Sequence, residues 1–287
     1  MHIIEQYCRG KRPDQSLNED GLLITDGFAA VVDGVTSKSE RHPWQPSPGV
    51  VAKDLLIGTL AGLAPNSGMR DVQRAVDARF RTEYSAHSLG ESFFERNPLE
   101  RLQANAVVFS SAHGEAWLFG DCQIMVNGVQ TPTVKRVDEL LGELRSFTAQ
   151  ALRLRDGDGT GDGDNNGNPN GTGPSEPGTD PARAMILPFL HLQSQFANRR
   201  GAYGYFVFDG FTDPAYPIRT VPVKPGDEVV LASDGYPLLR PTLAESEQEL
   251  ERLRRDDPDL IHEYRSTKGF SNGLDSFDDR TYLRFVV

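Results

Sequence analysis

A chain of 287 residues is long enough to bury a full hydrophobic core without staples, and one domain spanning 1–287 is the expectation. With 30 Lys and Arg against 41 Asp and Glu the formal charge is −11, so nucleic acid is disfavoured as a partner by repulsion. The two cysteines, Cys8 and Cys122, sit in no C-x-x-C or C-x-x-H pattern, which excludes a disulfide framework and a zinc knuckle and suits a reducing cytosol.

Two β-rich runs, Leu22 to Thr25 and Phe28 to Val32, are joined by the turn pair Asp26-Gly27 and predict a hairpin that ends at Asp33. Apolar residues at helical spacing predict a helix from Val51 to Leu63 and a second from Arg70 to about Ser85, with Val72, Val76 and Phe80 on one face. Ala106 to Ser110 and Ala116 to Val126 read as two further strands, separated by the His113-Gly114 turn and closed by Asn127-Gly128. Residues 156 to 180 contain no aliphatic or aromatic side chain, so they cannot bury anything; they read as a disordered polar insertion within the domain. Inside it, Asp162 to Gly167 copies the first half of a calcium loop, but Gly173 stands where the loop requires its bidentate Glu, so a polar spacer is the reading.

Beyond the insertion, Met185 to Ala197 is a helical patch interrupted by Pro188, and Tyr203 to Phe208, Ile218 to Val223 and Glu228 to Ala232 are β-like. Leu243 to Arg254 is helical with acids early and Arg late, which suits the helix dipole, and Thr281 to Val287 is a last strand. Several hairpins with two helical pairs predict an α+β layered domain, not an alternating βαβ one. The N-terminal residues lack the apolar stretch of a secretion signal, and no run approaches the roughly 20 apolar residues of a membrane span, so a cytoplasmic protein without a membrane partner is expected.

Four acidic clusters lie at the edges of these β runs: Asn18-Glu19-Asp20, Asp33-Gly34, Asp234-Gly235 and Asp278-Asp279. Any one of the Asp-Gly pairs alone reads as a turn. An aspartate that ends a buried apolar strand nevertheless costs stability unless something positive meets it, and oxygen-only clusters suit hard cations such as Mg²⁺ or Mn²⁺.

The order Asn18-Glu19-Asp20, strand-Asp33-Gly34, Phe119-Gly120-Asp121, the run Pro225 to Gly235 (PGDEVVLASDG) and Asp278-Asp279-Arg280-Thr281 resembles the metal-dependent protein phosphatase family, also called protein phosphatase 2C. The resemblance covers the chain from about residue 18 onward. It implies a central antiparallel β-sandwich flanked by helices on both faces. It also implies that Asp33 bridges two metal ions, with the Gly34 carbonyl a ligand to one, and that Asp234 and Asp278 are ligands of the second. Glu19 and Asp20 match the pair that holds waters on the metals, and Asp121 matches a ligand for a third ion. The activity implied is phosphate-monoester hydrolysis, with Asp33, Asp234 and Asp278 acting through metal-activated water on a phosphoserine or phosphothreonine protein or on a small phosphorylated metabolite.

The chain departs from the family pattern in three places. Gln15 stands where many members carry an Arg that grips the phosphate, leaving Arg12, Arg9 or Lys11 to reach in. The turn after Asp33-Gly34 is Val35-Thr36-Ser37-Lys38, so Lys38 or Arg41 is the candidate phosphate contact and His42 the candidate leaving-group acid. Gly120-Asp121-Cys122-Gln123 lacks the family's Ser-Arg pair. The absent Arg keeps an alternative open: a pseudophosphatase that has become a binding module.

Overall fold

The computed structural model describes residues 1–156 and 180–287. The half calcium loop and most of the polar insertion fall outside the described residues. Ten strands form two antiparallel five-stranded sheets. One sheet has the order β1 (His2–Arg9), β10 (Arg280–Val286), β9 (Glu228–Ala232), β6 (Gln123–Val126), β7 (Val129–Thr131). The other has the order β2 (Asp20–Ile24), β3 (Phe28–Gly34), β4 (Ala104–Ser110), β5 (Glu115–Phe119), β8 (Arg219–Pro222). The helices are α1 (Pro48–Ala61), α2 (Met69–Ala86), α3 (Glu91–Arg96), α4 (Arg136–Asp156), α5 (Pro181–Gln193) and α6 (Leu243–Asp256).

Strand alternation makes the layers. Along β3, Ala29 and Val31 turn inward and meet Val107, Phe109, Ile124, Leu231, Leu283 and Phe285, so the two sheets pack face to face. Phe28, Ala30 and Val32 turn the other way, onto Leu56 and Leu60 of α1 and Val72, Val76 and Phe80 of α2. Each of these large side chains is fully buried or nearly so, and such burial contributes about 1.5–3 kcal/mol per residue. On the far sheet, Met125, Val230 and Tyr282 are covered by Tyr236, Leu239 and Leu243 at the start of α6. The result is the expected α+β sandwich with helical cover on both faces.

Where the elements differ from expectation, local chemistry explains it. Ala116 to Val126 is not one strand: Gly120 takes φ +106°, and the chain changes sheets there, from β5 to β6. A Cβ on Gly120 would run into the Asn105 side chain, so glycine is needed at this crossing on both counts. Tyr203 to Phe208, buried from Tyr205 onward, is no strand, because the Asn198 amide takes the ladder's place, donating to the Val207 carbonyl at 2.9 Å and accepting from its N–H at 3.1 Å. Helix α5 runs through Pro188 and begins at Asp180, whose side chain accepts from the Arg183 N–H. Strand β1 and helices α3 and α4 were not expected from the sequence. Among the described residues, no helix is long and apolar enough to cross a membrane.

Candidate active site

In an antiparallel sheet, the end of one strand and the start of its neighbour share an edge. Asp20 begins β2 and Asp33 lies near the end of β3, directly opposite it in register. Asp234 follows β9, Asp278 and Asp279 precede β10, and Asp121 sits at the β5-to-β6 crossing. All therefore gather at one end of the sandwich, where a cavity of about 1020 Å³ is lined by Asp33, Gly34, Asp121, Asp234 and Asp278. Here β3 and α1 nearly touch: a side chain on Gly34 would strike the Gly49 backbone, and one on Gly49 would strike Glu19.

The acids fall into two groups. Asp279 and Glu19 are fully engaged. Asp279 accepts from the Lys11 N–H at 2.7 Å and the Glu19 N–H at 2.9 Å, while Glu19 accepts from Ser47 Oγ at 2.7 Å and from Thr36 Oγ1. Asp20, Asp33, Asp121 and Asp234 are not. Asp20 Oδ2 and Asp121 Oδ1 are buried without any hydrogen-bond partner, Asp33 receives only Asn105 Nδ2 at 3.4 Å, and Asp234 accepts no bond among the described residues. Burial, followed by their neighbours' negative charge, holds Asp20, Asp33 and Asp234 well above the usual carboxylate range.

Four lysines line the same cavity. Lys11 Nζ lies 2.9 Å from Asp278 Oδ1, 3.6 Å from Asp279 and 3.7 Å from Glu19, and Lys268 also pairs with Asp278. Burial works against ionisation of Asp278, but Lys268 and Lys11 outweigh it and bring that carboxyl below its usual range. Lys135 pairs with Asp121 at 2.8 Å. Lys38 makes no ion pair among the described residues; burial, with Arg183, Lys268 and Lys135 nearby and only partly countered by Asp138, lowers its pKa.

Of the residues singled out for the phosphate, the structure brings Lys11 and Lys38 to the cavity wall. Arg12 lines a separate shallow groove beside Asp275, Arg41 lies over the Phe93 ring near Glu100, and His42 is exposed and does not line the cavity. Gln15 does not reach in either: it braces its own loop, bonding the backbone of Gly10 and Arg12, and that loop carries Lys11 inward. Lys135 and Lys268 are contributed by segments whose sequence shows no motif, so only the fold could reveal them.

The donors at the Asp20, Asp33, Asp121 and Asp234 end are all oxygen, buried and under-bonded, which fits a hard divalent cation. Among the described residues, no three carboxylate, imidazole or thiolate groups stand close enough to hold an ion as they are arranged. The Asp278 end fits such an ion poorly, because ammonium groups already neutralise it.

No family model matches the chain, and no curated protein matches it either. Among solved structures, it is similar to the Mycobacterium tuberculosis serine/threonine phosphatase PstP/Ppp, at 15% identity over 98% of this chain and 97% of that one, with TM-score 0.47. In architecture the chain is similar to bacterial serine/threonine phosphatases. Others are the catalytic domain of PstP in complex with two manganese ions (15% identity, 100% of both chains, TM-score 0.46) and MsPP from Mycobacterium smegmatis in complex with cacodylate (16%, 100% of both, TM-score 0.43). At these identities the likeness is one of overall architecture, and the chemistry rests on this chain's own side chains.

Proposed function

We propose that the cavity hydrolyses phosphate monoesters with the help of a divalent cation, Mg²⁺ or Mn²⁺. The observation that carries this reading is the set of under-bonded carboxylates Asp33, Asp121 and Asp234 facing a lysine-lined cavity, with Asp20 buried opposite Asp33 in the β2–β3 ladder. Carboxylates left in mutual repulsion cost stability, and a cation relieves that cost. Such an ion would acidify its water and screen the charge of a phosphate. The carboxylates would hold the ion, with the Gly34 carbonyl beside them. Lys38, free of ion pairs and with its ammonium held below its ordinary range, meets the phosphate and is the group placed to return a proton to the leaving alcohol. The substrate class is a phosphoserine or phosphothreonine protein or a small phosphorylated metabolite.

A second reading is favoured by the two lysines on Asp278: a binding module that has given up hydrolysis and holds a phosphorylated partner. One experiment separates the two. Hydrolysis of p-nitrophenyl phosphate is measured with Mn²⁺, with EDTA and for Asp234→Asn, alongside phosphopeptide and sugar-phosphate panels. The enzyme reading expects turnover with Mn²⁺ alone; equal background rates in all three, with saturable phosphopeptide binding, establish the binding module instead.

A further inference from the structure

The cavity has two unlike ends. At one, Asp33 and Asp234 line the wall, Asp234 unpartnered among the described residues, and Asp20, 3% exposed with an oxygen that meets no donor, lies opposite Asp33 in the β2–β3 ladder. At the other, an ammonium group is built in. The Lys11 side chain is 8% exposed and reaches three carboxylates, with Asp278 the nearest at 2.9 Å. Its backbone is fixed as firmly: the N–H donates to Asp279 at 2.7 Å, and the carbonyl accepts from the Asp275 N–H at 2.7 Å. A surface lysine that had swung inward by chance would not be held at both its head and its main chain. Lys268, from the segment after α6, adds a second cation to the same carboxylate.

We propose that Lys11 stands in for a second metal ion: the cavity takes one divalent cation, at the Asp20, Asp33 and Asp234 end, while Lys11 supplies a fixed positive charge at the Asp278 end. An ion bound there would have to share Asp278 Oδ1 with an ammonium already at hydrogen-bond distance, and the two cations would repel at short range. The fixed charge costs the site no dependence on metal concentration, and it gives an incoming phosphate a donor that does not dissociate. The inference rests on the phosphatase reading of the cavity, because it concerns how that site is charged.

Counting ions tests it without recourse to activity. Mn²⁺ binding to the full chain is measured by isothermal titration calorimetry, with the number of bound ions checked independently by electron paramagnetic resonance of Mn²⁺. The expected result is one ion per wild-type chain and a second ion acquired by Lys11→Met. Lys268→Met is measured in parallel, with circular dichroism confirming that each variant is folded; should Lys11→Met not fold, the wild-type count and Lys268→Met still decide. Two ions on the wild type, or a folded Lys11→Met that still binds one, would overturn the assignment and leave the phosphatase reading standing. No ion on any form overturns both.

Discussion

Asp33→Asn is expected to have opposite effects with and without metal. In the metal-free protein, burial and then the charges of Asp20, Asp121 and Asp278 push the Asp33 carboxyl well above its ordinary range, with Lys135 offsetting part of this. Two carboxylates about 6 Å apart at an effective dielectric of about 20 repel by about 3 kcal/mol. Once the lost attraction to Lys135 is subtracted, removing this one charge stabilises the metal-free fold by about 1–3 kcal/mol. At about 2–3 °C per kcal/mol for a large domain, that is a rise of about 2–9 °C in Tm.

A cation at one thousand times its Kd stabilises the wild type by about 4.1 kcal/mol and does little for the variant, so the order of stability reverses. Differential scanning calorimetry in EDTA and in a Mn²⁺ series at pH 7.5 reads both effects. The pH dependence has a definite sign. A carboxyl whose folded pKa is raised contributes its stability in full below the unfolded value of about 3.9 and loses it as pH rises through the folded value, so the variant's advantage in EDTA grows from acid toward neutral pH. A variant less stable than wild type in EDTA at pH 7.5, or one that keeps the full Mn²⁺ shift, would refute the reasoning.

Two further outcomes concern the scaffold. Arg101→Met strands Asp209, a fully buried carboxylate that Arg101 holds at 2.8 Å, and is expected to cost about 3–5 kcal/mol in urea denaturation. Adding Asp209→Asn should recover more than half of that loss; no recovery would mean that the arginine acts through its stacking on Phe211. Asp77, lifted by burial to about 6, loses stability as the pH rises through that value. Asp77→Asn should therefore stabilise the protein by about 1–2 kcal/mol at pH 8, after allowance for partial solvent screening, and have little effect at pH 4; equilibrium unfolding at the two pH values checks it.

Much of the scaffold was legible because it is written locally. The Asp26-Gly27 hairpin, Glu228–Ala232 and the helix from Leu243 all follow from short-range pattern, and the strands do end at acidic residues. The elements missed are those whose signal is tertiary. Strand β1 alternates only between half-buried and exposed positions, so its sequence carries little apolar contrast. Tyr203 to Phe208 has strand composition, yet its hydrogen bonds go to the Asn198 side chain and, at one bridge, to Ala104. At the site, the acids announce themselves by position. The cations mostly do not: Lys11 is one of three basic residues in its loop that could reach in, while Lys135 and Lys268 lie in loops more than a hundred residues apart along the chain, and charge alone cannot say which lysine folds inward. Helix α4 and the segment after α6 bring two of them to the cavity, and neither could be placed beforehand.

The position of β10 has a consequence in time. Strand β1 has one neighbour in its sheet, β10, and among the described residues that is the strand farthest from it along the chain. Lys11 and Glu19 are likewise held by Asp279, 268 and 260 residues further on. Until β1 finds that partner, the carboxylates of β2 and β3 stand beside an incomplete cavity. Closure over so long a separation is slow and all-or-none. A fold without β10 lacks the clamp on Lys11 and Glu19 along with β1's partner in the sheet, so the sheet and the cavity wall close together.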